Sequence, residues 1–156
     1  MEELIRKLTE NHLTIASCES FTVGQFGASL GSVSGASATY KGTLVTYQTV
    51  IKTDVLKVDK DIVSQYGVVS QEVAREMCLK GKSFFNSDIC VSFTGNAGPT
   101  AMEDKPVGLI YIGINYLGDI DVYGYHLSGS RATIQKEAVC IAKELILKKL
   151  KKIWEK

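Results

Sequence analysis

Residues 13–24 read L-T-I-A-S-C-E-S-F-T-V-G, and this stretch decides how the amino-terminal half of the chain folds. Its first part is an apolar run that predicts a strand from Leu13 to Ser17. Hydroxyls and a carboxylate follow at once, which indicates a turn from the strand into a helix. Such an edge offers hydroxyls and backbone N–H groups to anions and oxyanions, so Ser20 is a candidate nucleophile. An ordinary helix N-cap at Ser20 or Thr22 is the commoner use of these residue types.

Apolar residues at helical and alternating spacing divide the rest of the 156-residue chain into helices and strands. Helices alternate with strands early, and two strands joined by a tight turn at residues 117–119 appear late. This order predicts a single α/β domain over residues 1–156, with a mixed sheet flanked by helices in a three-layer-like arrangement. The predicted helices are Glu2–Asn11, Gly24–Leu30, two short ones within Val50–Gln65 with a break near Val58 and Asp59, Gln71–Phe85 capped by Ser70, and Arg131–Ile153. The other predicted strands are Tyr40–Tyr47, Asp88–Phe93, Val107–Tyr116 and Ile120–Leu127.

Charge and hydropathy exclude several classes of function. With 18 Lys and Arg against 17 Asp and Glu, the formal charge of +1 gives no broad basic surface for nucleic acid or an anionic membrane. The lysines between positions 148 and 152 interrupt an apolar series, as on the solvated face of a terminal helix. No secretory signal and no apolar run of membrane-spanning length are visible, so we expect a cytoplasmic protein.

The four cysteines are expected to be reduced thiols. They lie far apart, form no C-x-x-C pair and have no histidines at metal-ligand spacing, so neither a metal site nor a cofactor is expected. Cys78, Cys90 and Cys140 fall within apolar patterns and are predicted core residues. Cys18 borders the polar turn and is the one candidate for a reactive thiol.

A lysine is the best candidate for the base that would activate Ser20. The chain has only two histidines, and we place His12 in an exposed turn and His126 at a strand end, where it could line a pocket. Neither histidine is well placed to act as the base of a Ser-His-Asp triad, which leaves a Ser-Lys pair. Lys52 stands among apolar residues five positions after Tyr47, so burial should lower its pKa. The tyrosine hydroxyl could hold the amine or relay its proton. The alternative is a lysine that snorkels from a short helix to solvent.

Two further segments are candidates for binding an anion. Thr94 to Pro99 follows a predicted buried strand, and its glycines allow the backbone to approach a phosphate or an oxyanion, although it is not a Walker P-loop. Gly129-Ser130-Arg131 begins the last predicted helix, where an arginine can hold a phosphate in bidentate fashion. A surface arginine in a cap region is an equally good interpretation of the second segment.

These segments, in this order, resemble the CinA C-terminal domain family, the competence/damage-inducible proteins that include nicotinamide mononucleotide deamidases. The resemblance extends over nearly the whole chain, and the five-residue spacing from Tyr47 to Lys52 is retained. The similar segments, with the family pattern in parentheses, are Glu19–Gly24 (E-S-C-T-G-G), Val45–Lys52 (V-T-Y-S-N-E-A-K), Gly67–Met77 (G-A-V-S-x-E-V-A-x-E-M), Thr94–Pro99 (T-G-I-A-G-P), Lys105–Gly108 (K-P-V-G) and Gly129–Arg131 (G-D-R).

The resemblance implies an α/β amidohydrolase that converts the carboxamide of nicotinamide mononucleotide to nicotinate mononucleotide and ammonia without a metal. It implies Ser20 as the nucleophile, Lys52 as its base with Tyr47 beside it, and a homo-oligomer of two or more chains. Arg131 would help to hold the pyridine mononucleotide or to organise the pocket. Donors to the phosphate or to the oxyanion would come from Thr22, Gly24, Thr94, Gly95, Asn96, Ala97 and Gly98.

Several positions depart from the family pattern, and most of them lie in the motifs. Phe21 replaces a small cysteine and Val23 replaces a glycine, and a β-branched residue is costly wherever the backbone needs a positive φ. Gln48 to Ile51 lack the family's carboxylate and amide, which would lower the pKa of the neighbouring lysine further. Asn96 stands at a usually apolar position, and Ser130 replaces an aspartate. Two alternatives therefore stay open: a binding protein with little or no turnover, and an amidase for another small substrate.

Overall fold

The strand that precedes the polar turn lies inside the sheet. The computed structural model describes residues 1–154, and in it β1 (Ile15–Glu19) pairs in parallel with β2 (Tyr40–Val45) on one side and with β3 (Ile89–Gly95) on the other. All of β1 is buried, as expected of a strand with neighbours on both sides and helices on both faces. The carboxyl ends of the three strands therefore lie at one edge of the sheet, and Ser20 directly follows β1.

Two antiparallel strands complete the sheet, which is mixed as predicted. β4 (Leu109–Tyr116) runs antiparallel to β3 and β5 (Asp119–His126) runs antiparallel to β4, so the strand order is β2-β1-β3-β4-β5. Leu117 and Gly118 join β4 to β5 with φ of 53° and 100°. Positive φ at both positions is typical of the two-residue turn that matches the twist of a hairpin. The predicted tight connection is confirmed.

Helices cover both faces of this sheet. α1 (Glu2–Glu10), α2 (Gln25–Gly31) and α5 (Arg131–Trp154) pack on one face and share an apolar core with alternate residues of β3 and β4. α3 (Lys60–Tyr66) and α4 (Gln71–Phe85) pack on the other face around a second, smaller apolar cluster. The predicted sheet with flanking helices is confirmed.

The first strand lies two residues later than predicted. It begins at Ile15 because the N–H of Leu13 still donates to the carbonyl oxygen of Leu8 at the end of α1. It reaches Glu19 because this residue is aligned with a residue of β2 and with a residue of β3. A carboxylate is thereby placed within the buried strand.

Short helical turns and side-chain caps shape the connections between these elements. A 3-10 turn occupies Ala36–Ala38. The two predicted short helices are confirmed as a π-helical turn at Ile51–Val55 and α3. Asp59 caps α3, and the predicted break before it is confirmed. Ser70 caps α4 as predicted, because its hydroxyl accepts from a backbone N–H of the first turn.

The predictions for the cysteines are wrong at two positions. Cys18 is fully buried and lies beneath α4 with Cys78 and Cys90, because alternation along β1 turns its side chain to that face. Burial raises the pKa of Cys78 to about 12, and a hydrogen bond with Cys18 together with burial raises the pKa of Cys90. Cys140, predicted in the core, is exposed on α5, on the side of that helix turned to solvent.

Candidate functional site

A cavity lies at the carboxyl ends of the parallel strands, where the predicted site segments converge. Open α/β sheets commonly bind their ligands at this edge. We call the residues that follow β1 and β2 the inner wall, and those that follow β3, with the segment before α4, the outer wall. The inner wall consists of Ser20, Phe21, Tyr47, Thr49 and Lys52, the outer wall consists of Val68, Val69, residues 94–98, Thr100 and Met102, and Arg131 lies where the two walls meet.

The inner wall brings Ser20 and Lys52 into contact. Lys52 Nζ donates to Ser20 Oγ at 3.0 Å, and it also donates to the backbone oxygens of Thr46 at 2.6 Å and Tyr47 at 3.3 Å. Only 1% of Lys52 is exposed, so its amine is held inside the site and does not snorkel to solvent. A hydroxyl and an amine in direct contact are the arrangement that a Ser-Lys pair needs.

Burial controls the protonation of Lys52. It lowers the pKa of the amine to about 8, while the negative charge of Glu103 raises it to a lesser extent. Among residues 1–154, none of the ion pairs involves Lys52. Because burial without a counter-ion disfavours the ammonium form, the neutral amine is half populated near pH 8.

A buried carboxylate, to which no role was predicted, holds the turn after β1. One oxygen of Glu19 accepts from Thr22 Oγ1 at 2.7 Å and from the N–H of Phe26 at 3.0 Å. The other accepts from Ser17 Oγ at 3.0 Å and from the N–H of Gly27 at 2.9 Å. The two N–H donors belong to the first turn of α2, where negative charge is favourable. The available signal was an acid between a buried strand and the start of a helix.

Val23 adopts a conformation that favours glycine. Its φ is 50°, and the next residue, Gly24, has φ of 88° at the N-cap of α2. A β-branched side chain is strained at positive φ. The valine that stands in place of the family's glycine therefore strains the backbone of the turn. The Val23 side chain is half exposed and is not part of the cavity lining.

Arg131 connects the two walls. Its Nη1 donates to the carbonyl oxygen of Gly98 at 2.8 Å, and its Nη2 donates to the hydroxyl of Tyr47 at 3.0 Å. The expectation that this hydroxyl holds the amine of Lys52 is wrong. The chain leaves β2 with the backbone oxygen of Tyr47 turned towards the amine, and the phenol ring is half exposed at the rim of the cavity.

Side-chain contacts, more than strand pairing, hold the outer wall in place. The carboxylate of Glu103 accepts from the N–H groups of Val68 at 2.8 Å and Val69 at 3.2 Å. Lys105 Nζ donates to the backbone oxygens of Tyr66 at 2.8 Å and Val69 at 2.5 Å, and it pairs with Glu103 at 3.3 Å. Burial of Glu103 works to raise its pKa, but these N–H groups and the ammonium of Lys105 outweigh it and lower the pKa.

Asn96 adds an acceptor without a donor to the same wall. It is 2% exposed, and its Nδ2 donates to the backbone oxygens of Met102 at 3.3 Å and Lys105 at 3.1 Å. Its backbone N–H donates to the carbonyl oxygen of Leu109 and is therefore not free for an anion. The prediction that this N–H binds the phosphate or the oxyanion is wrong. Its Oδ1 is buried and has no hydrogen-bond partner among residues 1–154. An unpaired buried acceptor costs about 1–3 kcal/mol, so we expect a donor to occupy this position in the working protein.

Three residues proposed from sequence do not line the cavity. Thr22 is fully buried and its hydroxyl is committed to Glu19, and Gly24 lies at the N-cap of α2. His126 pairs its Nε2 with the backbone oxygen of Val107 at 3.0 Å and also lies outside the lining. The turn after β1 therefore presents Ser20 and Phe21 to the cavity, and its other polar groups support the turn itself.

The predicted donors after β3 all line the cavity, but they differ in what they can offer. The hydroxyl of Thr94 donates to the backbone oxygen of Val68 at 2.6 Å, and Gly95 is aligned with a residue of β4. The N–H groups of Ala97 and Gly98 have no acceptor within the part of the chain that the structure describes. These two groups are the backbone donors that remain for an anion.

Two findings concern metals and membranes. No group of three or more metal-ligating side chains comes together within residues 1–154. No helix in the same range combines the length and apolar character needed to cross a bilayer. The polar side chains that line the cavity are the amine of Lys52, the amide of Asn96, the guanidinium of Arg131 and the hydroxyls of Ser20, Tyr47, Thr49, Thr94 and Thr100.

Known proteins resemble this chain in sequence. A family model described as the CinA C-terminal domain matches residues 1–150. A competence-damage inducible protein of Bacillus subtilis (strain 168) is 39% identical over 150 residues, which cover 96% of this chain and 36% of that protein. A protein of the same description from Levilactobacillus brevis is 36% identical over 151 residues, with the same coverage. The chain thus spans about a third of the length of the curated relatives it matches.

Solved structures match the fold along nearly its whole length. A CinA superfamily protein from Klebsiella pneumoniae 700603 superposes with a TM-score of 0.93 at 26% identity, covering 96% of this chain and 94% of that one. A CinA superfamily protein from Escherichia coli superposes with a TM-score of 0.90 at 26% identity, covering 94% of this chain and 88% of that one. The mixed sheet with helices on both faces is therefore the fold of these proteins as well.

Proposed function

Because this chain belongs to the CinA C-terminal domain family, we propose that it is an amidohydrolase that releases ammonia from the carboxamide of a pyridine mononucleotide. The observation that carries the proposal is the 3.0 Å contact between Lys52 Nζ and Ser20 Oγ. A hydroxyl beside an amine whose pKa is lowered to about 8 supplies a nucleophile and its base. The expected substrate, nicotinamide mononucleotide, follows from the family resemblance.

In the first half of the reaction, Ser20 attacks the carboxamide carbon. Neutral Lys52 takes the hydroxyl proton while Oγ forms its bond to carbon. The negative charge collects on the former carbonyl oxygen, for which the N–H groups of Ala97 and Gly98 are candidate donors. Protonated Lys52 then gives its proton to the amide nitrogen, the C–N bond breaks, ammonia leaves, and an ester on Ser20 remains.

In the second half, water attacks the ester. Lys52 accepts a proton from the water as the new C–O bond forms, and it returns that proton to Ser20 Oγ as the ester bond breaks. The backbone oxygens of Thr46 and Tyr47 accept from the lysine throughout, and they stabilise the ammonium form that burial alone would disfavour. The products are the carboxylate and the free serine.

Arg131 is the candidate group for the phosphate of the substrate. Its guanidinium keeps a positive charge at every working pH, and it is fixed by contacts with both walls. Phe21, Val68 and Val69 supply apolar lining, which suits an aromatic ring. With the phosphate bound at Arg131, the pyridine ring would extend into the cavity and its carboxamide would reach Ser20.

Ammonia release from nicotinamide mononucleotide tests the proposal. We expect wild-type protein to release ammonia, Ser20→Ala to lose the activity, and Ser64→Ala, an exposed hydroxyl on α3, to keep it. Because only the neutral lysine acts as a base, kcat/KM should rise with pH, reach half its maximum near pH 8 and level off at higher pH. Undiminished release by Ser20→Ala would contradict the assignment. A rise in Tm with the nucleotide but no ammonia would identify a binding protein instead.

A further inference from the structure

The unpaired acceptor of Asn96 has a fixed orientation. Its Nδ2 donates to the backbone oxygens of Met102 and Lys105, so turning the amide over would set Oδ1 against two other oxygens. The loop therefore determines which end of the amide faces which way, and Oδ1 is the atom left without a partner among residues 1–154. Because Asn96 is only 2% exposed, bulk solvent has little access to this atom.

The fold places Asn96 close to the reacting pair. Asn96 follows β3 and Ser20 follows β1, the adjacent parallel strand, and the N–H of Ser20 donates to the backbone oxygen of Phe93 in β3. Asn96, Ser20 and Lys52 all line the same cavity. The inner wall of this cavity thus carries the nucleophile, and the outer wall carries the amide of Asn96.

We infer that Asn96 Oδ1 accepts a hydrogen bond from the NH₂ group of the substrate carboxamide and makes the site selective for carboxamides over carboxylates. This inference rests on the proposed function. A carboxamide nitrogen carries two N–H donors, whereas a carboxylate has only acceptors and would set a further oxygen against Oδ1. Substrate thus satisfies the acceptor and the product does not, which favours release of the product.

Ligand binding without turnover measures this selectivity directly. Calorimetric titration gives Kd for nicotinamide mononucleotide and for nicotinate mononucleotide in two proteins, Ser20→Ala and the double variant Ser20→Ala with Asn96→Leu. Leucine is similar in shape to asparagine and lacks the acceptor. We expect Asn96→Leu to weaken binding of the carboxamide about tenfold and to leave binding of the carboxylate unchanged or tighter, because the oxygen set against the carboxylate is gone. The preference for the carboxamide therefore falls about tenfold or more.

A second variant controls for loosening of the loop, because Asn96→Leu also removes two bonds to loop carbonyls. Lys105→Met removes other bonds that hold the same loop, and Lys105 does not line the cavity. We expect this control to change both Kd values by the same factor. An unchanged preference in Asn96→Leu, or an equal loss of preference in Lys105→Met, overturns the inference.

Ammonia release by the wild-type protein separates this inference from the proposed function. Release of ammonia with an unchanged preference in Asn96→Leu keeps the hydrolase and removes the role of Asn96. A tenfold fall in preference without ammonia release keeps the role of Asn96 and removes the hydrolase. If the wild-type protein releases no ammonia and the Ser20→Ala protein binds neither nucleotide, both proposals fail.

Discussion

The two walls of the cavity use a lysine in opposite ways. In the inner wall Lys52 is buried, donates to two backbone oxygens and to Ser20, and is absent from the ion pairs among residues 1–154. Lys105, which supports the outer wall from outside the cavity, also donates to two backbone oxygens, but it has the carboxylate of Glu103 beside it. The first environment disfavours the ammonium charge and the second favours it, so one side chain is suited to proton transfer and the other to holding a loop.

The supports of the two walls differ in the same sense. The inner wall continues from paired strands and is held by the buried carboxylate of Glu19. The outer wall is a loop that is fastened by partly exposed side chains. We therefore expect changes in the inner wall to affect turnover and folding, and changes in the outer wall to affect ligand binding.

The largest expected effect is the loss of activity on replacement of Lys52. Lys52→Met removes the amine, and Lys52→Arg keeps a charge that does not leave at any working pH, so neither variant can act as a base. We expect ammonia release to fall about 10³-fold or more in both. Lys105→Met should retain kcat within about threefold while KM rises. Equal losses of kcat in both walls would remove the distinction between the two lysines.

Stability against pH provides an independent mark of the same lysine. The pKa of Lys52 is about 8 in the folded protein against an ordinary value of 10.5, so between these pH values the unfolded chain holds a proton that the folded protein has lost. The free energy of unfolding should therefore rise with pH across this window, relative to Lys52→Met. Urea unfolding of both proteins at pH 8 and pH 10 measures the difference, and parallel pH dependences would contradict the lowered pKa.

The next effect in size concerns the supports. In Glu19→Gln, an NH₂ group replaces one of two oxygens that each accept from a backbone N–H and a hydroxyl, so one of each loses its acceptor. We expect the free energy of unfolding to fall by about 2–3 kcal/mol. Glu103→Gln, the matched change in the outer wall, should cost about 1 kcal/mol or less because its contacts are partly exposed. Urea unfolding compares the two, and a larger cost at Glu103 would reverse the proposed order.

A smaller effect links the two walls through charge. Because Glu103 raises the pKa of Lys52, Glu103→Gln should lower that pKa and move the rise of kcat/KM to lower pH. The pKa of the Glu103 carboxyl lies below the ordinary 4.5. The stability that Glu103 contributes is therefore present above pH 4.5 and is lost as the pH falls through the lowered pKa. Glu103→Gln should lack this acid-side loss. A rise in activity that moves to higher pH would contradict the assigned sign.

The smallest expected effect is a gain in stability at Val23. Val23→Gly relieves the positive φ of the turn, and the gain of about 1–2 kcal/mol from strain is partly offset by the flexibility of glycine in the unfolded chain. Val55→Gly is the control, since Val55 has similar exposure and no positive φ. We expect thermal unfolding to show a higher Tm for the first and a lower Tm for the second. A lower Tm for both would show that the turn is not strained.

Much of the fold and the reacting pair could be predicted because their signals are local. An apolar run precedes Ser20 and places its hydroxyl at the end of one parallel strand. Apolar residues surround Lys52 and place its amine after the end of another. Parallel strands then bring the two groups to one edge without any knowledge of their side-chain positions. The hairpin at Leu117 and Gly118 was predicted for the same reason, since the turn lies between two adjacent patterns.

What could not be predicted depends on register and on contacts between distant residues. Whether the hydroxyl or the backbone oxygen of Tyr47 meets Lys52 depends on how the chain leaves β2. The orientation of Cys18 depends on where β1 begins. The hydrogen bond from the N–H of Val68 to Glu103 joins residues 35 positions apart. That Asn96 Oδ1 has no partner among residues 1–154 depends on how the loop around Glu103 folds.

The arrangement of the thiols has a practical consequence for measuring motions of this protein. Cys140 is exposed on α5, whereas Cys18, Cys78 and Cys90 lie between the sheet and α4. A maleimide should therefore attach once to each folded molecule and up to four times to a molecule that opens. The rate at which the additional labels appear in a mass spectrum would report how often α4 separates from the sheet, with no engineered probe.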